Sequence, residues 1–343
     1  MAKVMRTAVF VAPRQIELRD LPVPEPGDGC VVVRLRATAL CTMEQRIYLG
    51  KQRVPLPWVG GHELAGVIEN VGDVRCNVKV GQRVALGPVS CGQCEYCRRG
   101  YDARCLTGFT RTSYAGIPGG WGLSEFRPCA PAALYPIADH VSFEEAALSE
   151  PLSCAVHAIR ALNPDLGRDV VIIGAGPMGL FNALVARLRG ARVIVSELDD
   201  ARRRKAAGLG VEVLDPGSED VVQAVKDLTD GRGADAVIVA VGLESANRQA
   251  FEIVAPTGTV VLFANAYPSE PLNIDPNLIH KTELKVLGVE GKTVEDFAIA
   301  VKLLNDRLVD VRPIIEASFG LHQMIDALET AVRPETYRVI VNP

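Results

Sequence analysis

The 343 residues are too many for one hydrophobic core to grow comfortably, so the chain is expected to fold as two domains. With 48% apolar residues, a net charge of −4 and scattered arginines, the composition is that of a soluble globular protein and excludes a nucleic-acid-binding surface. The N-terminus lacks a signal-peptide pattern, and no apolar stretch approaches the roughly 20 residues of a membrane span. A cytoplasmic location is expected, where cysteines act as metal ligands or packing residues before they form disulfides.

The first 140 residues have the pattern of a β-rich domain. Predicted strands cover 31–40, 63–72 and 81–86, and glycine, proline and asparagine separate them. A helical segment then follows over 142–162. Ser142 with Glu145 three residues later has the spacing of a capping box, which predicts the start of this helix.

From residue 169 onward, predicted strands and helices alternate. The strands are at 169–174, 191–197, 234–242 and 258–265, with helices at 177–190 and 199–210. Such alternation predicts an α/β fold, a parallel sheet with helices on both of its faces. Two later helices, at 293–308 and 321–332, lead to a closing strand at 337–343, which we expect to rejoin the first domain.

The turn after the first of these strands is a candidate dinucleotide site. Gly174, Gly176 and Gly179 have G-x-G-x-x-G spacing, and they span the junction of an apolar strand and a helix that begins with Pro177 and Met178. The glycines allow a tight turn, close approach of a pyrophosphate and close helix–sheet packing, while N–H groups at the helix N-terminus bind phosphate. The context therefore favours a nicotinamide dinucleotide domain over a plain surface turn.

Glu197 indicates which dinucleotide this domain binds. It ends the next predicted strand, 18 residues after Gly179. A carboxylate at this point accepts hydrogen bonds from the ribose 2′-hydroxyl of NAD and repels the 2′-phosphate of NADP. NAD is therefore favoured, although Arg202 and Arg203 lie close enough in sequence to reach a phosphate.

A cluster of cysteines indicates a metal site. Four cysteines within fifteen residues have C-x2-C-x2-C-x7-C spacing: Cys91, Cys94, Cys97 and Cys105. Four thiolates can close a tetrahedral zinc site that leaves no position for a substrate, so the zinc would be structural. An iron–sulfur cluster is the alternative, but its usual fourth spacing is three and proline follows the last cysteine, whereas Leu106 follows here.

Three further places carry side chains suited to catalysis. Cys41 follows a predicted strand, His62 and Glu63 begin another, and Glu150 precedes what looks like a helix-breaking proline. Taken singly, each is more often a packed residue or an ordinary helix charge. In addition, the stretch 61–72 (GHELAGVIENVG) fits the signature G-H-E-x-x-G-x-x-x-x-x-G at every fixed position.

With the cysteine array and the glycine fingerprint following in order, the chain resembles the zinc-dependent medium-chain dehydrogenase/reductase superfamily along essentially its whole length. The phrase ALSEPLSCAVHAI (147–159) is most similar to the polyol (sorbitol-type) and threonine dehydrogenase branch. The resemblance implies a GroES-like catalytic domain (1–152 and 291–343) and an inserted Rossmann NAD-binding domain (153–290). It also implies a homotetramer or homodimer formed through Rossmann sheet edges, with 258–265 a neighbour of such an edge.

The resemblance also implies roles for single residues. Cys41 and His62 would be catalytic zinc ligands. Glu63 and Glu150 would ligate the metal directly, through water, or by turns, and Arg338 would reach the cofactor pyrophosphate. A zinc held by one thiolate, one imidazole and one carboxylate is formally neutral and keeps an open position, from which it acts as a Lewis acid on a hydroxyl or carbonyl.

The residues after Cys41 depart from the family pattern. Met43 stands where a serine or threonine usually starts the proton relay, and Arg46 stands where a histidine is common. Neither side chain relays a proton at ordinary pH. Thr42 lies one residue early, and Glu44, a metal-bound water with Glu63, or the nicotinamide ribose are the candidate substitutes.

Together these features predict a zinc-dependent oxidoreductase that transfers a hydride between NAD(H) and a secondary alcohol or its ketone, the alcohol being a polyol, amino-polyol or cyclitol. The missing relay hydroxyl leaves open an NAD(P)H-dependent reductase of C=N or conjugated C=C bonds. A binding protein without turnover is disfavoured, because it has no reason to assemble four metal-ligand side chains. Trp121 would be either a wall of the substrate cleft or a packed core residue.

Overall fold

The computed structural model describes residues 3–27, 29–73, 77–107, 113–266 and 269–343. The chain divides into two compact units: the first is Met1–Ser153 with Lys292–Pro343, and the second is Cys154–Gly291. None of the described helices combines the length and the apolar character that crossing a bilayer requires.

The first unit starts with strands and short helices. Its strands up to residue 148 are β1 (Val4–Ala12), β2 (Gln15–Pro22), β3 (Val31–Ala39), β4 (Glu63–Val71), β5 (Arg83–Leu86), β6 (Ser113–Tyr114), β7 (Ile117–Pro118), β8 (Phe126–Cys129) and β9 (Leu134–Pro136). The helices in the same stretch are α1 (Thr42–Tyr48), α2 (Glu95–Arg98) and α3 (Phe143–Ala147). The three strands predicted in this region are confirmed as β3, β4 and β5.

The predicted capping box is confirmed at α3. The Ser142 hydroxyl accepts a hydrogen bond from the N–H of Glu145 at 3.1 Å, and Glu145 Oε2 accepts one from the N–H of Ser142 at 2.9 Å. The segment predicted as one helix over 142–162 is two helices, however: α3 ends at Ala147, and α4 (Ser149–Leu162) begins after Leu148. Pro151 lies in the first turn of α4, where a missing N–H costs no hydrogen bond, so its interpretation as a helix breaker is wrong.

The second unit is built on a parallel sheet. Its elements are β10 (Asp169–Ile173), α5 (Pro177–Leu188), β11 (Arg192–Ser196), α6 (Asp200–Gly208), β12 (Glu212–Leu214), α7 (Val221–Leu228), β13 (Ala234–Val239), α8 (Glu244–Ile253), β14 (Val254–Leu262), α9 (Pro276–Thr282) and β15 (Lys285–Gly288). All pairings are parallel, in the order β12-β11-β10-β13-β14-β15. This is the predicted doubly wound sheet, and every residue of β10 is buried because both sheet faces are covered.

The chain then returns to the first unit. Its last elements are α10 (Val294–Asn305), β16 (Ile315–Gly320), α11 (Met324–Ala331) and β17 (Arg338–Asn342). Strand β17 pairs parallel with β16 and antiparallel with β3, in a sheet of order β16-β17-β3-β4-β5-β9 to which β8 adds at β3. The prediction that the closing strand rejoins the first domain is therefore confirmed. Val339 and Val341 of β17 pack with Leu40 in one apolar core.

Two glycines of the fingerprint differ in how tightly they are packed: Gly176, before α5, and Gly179, in its first turn. A Cβ added at Gly179 would lie 1.9 Å from the carbonyl oxygen of Gly174, far inside any contact distance. A Cβ added at Gly176, the N-cap of α5, would meet only Nη1 of Arg202, at 3.6 Å. Close packing of the helix on the turn therefore requires glycine at 179, whereas glycine at 176 leaves free space for a ligand.

We expect Gly179→Ala to lower the free energy of unfolding of the second unit by about 3 kcal/mol, because backbone must move to admit the methyl group. Gly176→Ala, the matched control, should cost less than about 1 kcal/mol, the scale of a helix-cap change. Urea titrations of both full-length variants, followed by circular dichroism, measure the difference. Equal losses of stability would contradict the packing argument.

Candidate active site and metal centres

Strand pairing brings the predicted catalytic residues to one end of the first unit's sheet. The last residue of β3, Ala39, pairs antiparallel with Glu63, the first residue of β4. The residue two positions beyond Ala39, Cys41, and the residue before Glu63, His62, therefore leave the sheet side by side. Strand β17 starts at the same end, because Ile340 pairs with Ala39 on the other side of β3.

Cys41, His62 and Glu63 form a group able to hold a metal ion. One ligand atom from each lies within 4.8 Å of the others. Glu63 is fully buried, and neither of its carboxylate oxygens accepts a hydrogen bond of good geometry from the described residues. The guanidinium of Arg338 lies 2.9 Å from one of these oxygens, and this ion pair offsets part of the cost of burying the carboxylate. Thiolate, imidazole and carboxylate are the ligands that zinc takes from proteins, so these three side chains fit zinc.

Glu44 orients His62. Its side chain is fully buried, and Oε1 lies 3.1 Å from Nδ1 of His62 and accepts the N–H of Gly61 at 3.0 Å. A carboxylate on one ring nitrogen of a histidine fixes the ring and leaves the other nitrogen for a metal. Gly61 holds its N–H toward Glu44 at φ +90°, a backbone conformation that favours glycine. Glu44 thus has an orienting contact that the sequence did not indicate, and its role in a proton relay stays a prediction.

Burial and the neighbouring charges lower the pKa of Cys41 and raise the pKa values of His62 and Glu63. Burial disfavours the thiolate of Cys41, but the hydrogen bond and charge of His62 and the charge of Arg338 outweigh it and lower the Cys41 pKa to about 7. Burial also disfavours the imidazolium of His62, yet Glu44 and Cys41 raise its pKa well above the usual value. Burial raises the pKa of Glu63 well above its usual range, and the neighbouring anions Cys41 and Glu150 add to this. The group therefore holds protons that a divalent cation would displace on binding.

Arg338 lies inside the candidate metal site. It is 4% exposed, Nη2 lies 2.9 Å from Oε1 of Glu63, and Nη1 donates to the carbonyl oxygen of Leu40 at 3.3 Å. The guanidinium thereby offsets the charge of Glu63 and ties β17 to the residue before Cys41. Its contact with a cofactor pyrophosphate stays a prediction.

Glu150 has a different partner from the other candidate ligands. Its carboxylate lies outside the group formed by Cys41, His62 and Glu63, and its Oε1 is in contact with Nζ of Lys292. Burial opposes ionisation of Glu150, but the ammonium of Lys292 holds the pKa of the carboxyl below its ordinary value. Sequence reasoning missed Lys292, because a single lysine after a glycine carries no spacing signal.

Of the two residues that follow Cys41, only Thr42 has a hydroxyl that could relay a proton. Thr42 is exposed, and its Oγ1 lies 3.8 Å from Sγ of Cys41. Met43 is half-buried against the apolar core that contains Leu40. Trp121 is fully buried and donates its Nε1–H to the carbonyl oxygen of Ile117 at 3.0 Å, so it is a packed core residue rather than a cleft wall.

The cysteine array forms the second candidate metal centre. One Sγ atom from each of its four cysteines lies within 4.8 Å of the others: Cys91, Cys94, Cys97 and Cys105. Distances of 3.4 Å (Cys94 to Cys97) and 3.9 Å (Cys91 to Cys97) are far too long for disulfides and bracket the edge of about 3.8 Å that tetrahedral zinc–thiolate bonds produce. Hydrogen bonds from the N–H groups of Gln93 and Cys94 lower the pKa of Cys91 to about 6, which favours a thiolate ligand.

The second unit contains the candidate dinucleotide turn. Gly174 follows β10 with φ +100°, and Pro177 and Met178 form the first turn of α5. Glu197 directly follows β11 and accepts the N–H groups of Ala175 at 2.7 Å and Asp199 at 2.9 Å.

The two nearby arginines have different surroundings. Arg203 is bound to the carbonyl oxygens of Glu197 and Leu198 and to Asp215. Arg202 has its guanidinium beside Gly176. Of the two, Arg202 is therefore the one placed toward the glycine turn.

Comparisons with known proteins agree with this architecture. The family model of the alcohol dehydrogenase GroES-like domain matches residues 27–139, and that of zinc-binding dehydrogenases matches 177–306. L-threonine 3-dehydrogenase of Pyrococcus abyssi is 34% identical over 334 residues, 94% of each chain. Sorbitol dehydrogenase of Bacillus subtilis is 29% identical over 350 residues, covering 99% of this chain and 97% of the relative.

A solved structure shows the same fold. A protein of Sinorhizobium meliloti 1021, described as a zinc-binding dehydrogenase bound to NADP, superposes with a TM-score of 0.91 at 26% identity, over 99% of this chain and 100% of that one. The chain therefore belongs to the zinc-dependent medium-chain dehydrogenase/reductase superfamily, in its polyol and threonine dehydrogenase branch. It is an alcohol or polyol dehydrogenase that works with zinc and a nicotinamide cofactor, and the predicted GroES-like and Rossmann folds are confirmed.

We expect Glu44→Gln to weaken zinc binding by the group of Cys41, His62 and Glu63 by about tenfold to a hundredfold, the usual effect of losing a charged partner of a histidine ligand. Gln keeps the acceptor for the N–H of Gly61, so the fold should persist. Competition with a chromophoric chelator measures the affinity. Glu329→Gln, which removes a carboxylate bound to Tyr48 and Arg14 instead, is the control. Equal affinities of Glu44→Gln and the native protein would refute the orienting role.

Proposed function

We propose that this protein is an NAD-dependent dehydrogenase with one catalytic and one structural zinc, which interconverts a secondary alcohol and its ketone. The observation that carries the proposal is the group of Cys41, His62 and Glu63, whose ligand atoms lie within 4.8 Å of one another. In the proposed division of labour, 1–152 with 291–343 carries the catalytic zinc and 153–290 carries the cofactor.

When bound by these three residues, zinc supplies Lewis-acid chemistry at a substrate oxygen, and the nicotinamide accepts or donates the hydride. Cys41, His62 and Glu63 would supply three protein ligands, the number that leaves a catalytic zinc an open position for substrate. Glu44 orients the imidazole, and Arg338 offsets the charge of Glu63. The four-cysteine centre has no open position, so its proposed role is to brace the loop that contains α2.

The proposed cofactor is NAD rather than NADP. Support comes from Glu197, whose carboxylate lies at the end of β11 beside the N–H of Ala175, where the ribose hydroxyls of a bound dinucleotide belong. Arg202 lies close to the same turn, and a structural relative holds NADP. The charge of Glu197 is therefore proposed to decide the preference.

The proposed substrate class is a polyol, amino-polyol or cyclitol. Two relatives named for threonine and sorbitol support it, because both of those compounds carry a secondary hydroxyl beside another polar substituent. We also propose a homodimer or homotetramer. Strand β15, next to β14, is one of the two edges of the second unit's sheet, and an edge strand is a template for pairing with another chain.

We expect about two zinc ions per chain in protein purified without chelator, one for each centre. Cys41→Ser should remove about one zinc and abolish NAD reduction by a panel of polyols and cyclitols. Cys30→Ser, a control in the same unit but in neither centre, should keep two zinc ions and the rate of NAD reduction. Elemental mass spectrometry counts the metal. A native protein with one zinc per chain, lost only when a cysteine of the four-cysteine centre is replaced, would contradict the dehydrogenase proposal. The metal-independent reductase of C=N or C=C bonds would then be the remaining function.

We expect Glu197→Gln to shift the ratio of kcat/KM for NAD over NADP toward NADP by at least about tenfold. The substitution removes a negative charge that would face the 2′-phosphate, and like charges in contact cost several kcal/mol. Glu212→Gln, which removes an exposed carboxylate from the neighbouring strand β12, is the control. Steady-state rates with both cofactors give the ratio. A native enzyme that prefers NADP would reverse the cofactor assignment.

A further inference from the structure

Lys292 is held in a fixed place at the start of the returning segment of the first unit. It lies between Gly291 and Thr293, and Thr293 is the N-cap of α10. Thr293 and Asp296 form a complete capping box, with hydrogen bonds of 3.1 Å and 2.9 Å between side chain and backbone. Because the cap fixes the backbone beside it, the side chain of Lys292 starts from a defined position.

The Lys292 side chain is directed into the protein rather than into water. Only 12% of it is exposed, its Nζ is in contact with Oε1 of Glu150, and the Glu150 side chain is itself 10% exposed. Removing both charges from water costs several kcal/mol per ion, which their attraction barely repays. A buried pair of this kind is weak evidence for stability, so its position beside the candidate metal centre is the more informative feature.

Apart from Glu44, which contacts His62, two carboxylates lie near that centre, and zinc can use only one of them if a coordination position is to stay open. With Cys41 and His62 bound, one carboxylate gives three protein ligands, whereas two would complete a closed tetrahedron. The structure treats the carboxylates differently. Glu63 lies within 4.8 Å of the other ligand atoms, whereas Glu150 lies outside that group, with one of its oxygens on Lys292.

Arg338 shows that a cation alone does not exclude a carboxylate from the centre. It contacts Oε1 of Glu63 from the direction of β17, yet Glu63 stays within reach of Cys41 and His62. What distinguishes Glu150 is that its cation lies on the segment before α10, so the pairing holds the carboxylate away from the group.

We propose that Lys292 is a positioning residue that holds the Glu150 carboxylate out of the metal's coordination shell, so that Cys41, His62 and Glu63 bind zinc and the fourth position stays open to substrate. The inference rests on the proposed catalytic zinc. The ion pair between Lys292 and Glu150 would thus decide whether Glu63 or Glu150 binds the metal, a choice that the sequence alone leaves open.

The ligand set is tested first at Glu150. Glu150→Gln should leave the rate of zinc release to a chelator within about twofold of the native rate, since Glu150 is not a ligand, whereas Glu63→Gln should accelerate release by about tenfold or more. The phase of zinc release that belongs to the catalytic centre is identified as the one that is missing in Cys41→Ser. Acceleration by Glu150→Gln equal to that by Glu63→Gln would overturn the proposal.

Lys292→Met tests the pair itself, since it removes the ammonium and keeps the length of the side chain. Without Lys292, Glu150 should join the metal, slow zinc release about tenfold and change the visible d–d spectrum of the Co²⁺-substituted protein. Lys292→Arg should keep the native spectrum, and the double variant Lys292→Met/Glu150→Gln should restore both native values. Lys302→Met, an exposed lysine of α10, is the matched control.

The remaining outcomes are distinguishable. An unchanged spectrum and release rate in Lys292→Met, with only KM raised, would overturn the proposal and make Lys292 a substrate contact. If Lys292→Met does not fold, the Glu150→Gln comparison still decides the ligand set. A native protein that takes up no Co²⁺ or Zn²⁺ sensitive to Cys41→Ser would instead refute the proposed function, before any question about Lys292 arises.

Discussion

The antiparallel register of β3 and β4 is the constraint on which the candidate active site depends. Because Ala39 faces Glu63, the chain leaves one strand and enters the next with Cys41 and His62 adjacent. A slip of one residue would turn Glu63 to the opposite face of the sheet and separate the ligand atoms. The buried apolar residues of both strands, among them Val33 and Leu64, fix the register. The register that buries these side chains is therefore also the one that brings the metal ligands together.

The other groups of the site depend on this pairing in turn. Strand β17 joins the free side of β3 and places Arg338 beside Glu63, while Glu44 in the first turn of α1 reaches back to His62. Glu44, Glu63 and Arg338 are almost fully buried, and the side chain of His62 is 30% exposed. Burying so many charges is tolerable only because opposite charges are paired within the site, and this makes the site a unit rather than a set of independent residues.

Sequence reasoning predicted well whatever is encoded by local spacing. The glycine fingerprint, the four-cysteine array, the capping box at Ser142 and the strands later confirmed as β3 to β5 are all patterns of neighbouring residues. It failed where a contact joins distant segments. The ion pair between Glu150 and Lys292 spans 142 residues, and no period or motif records it. Pro151 is a different, local error: proline is compatible with the first turn of a helix, and the sequence does not show where that turn begins.

The position of β17 has a consequence for how the protein matures. Residues 338–342 insert between β16 and β3, so the sheet that carries Cys41 and His62 lacks this inner strand until residues far beyond β3 and β4 have left the ribosome. The parallel sheet of residues 169–288 is encoded entirely before that moment and can fold as a unit during synthesis. Arg338, which offsets the charge of Glu63, therefore reaches the site only after the parallel sheet has been synthesised, and until then the nascent chain carries the Glu63 carboxylate without this counter-charge.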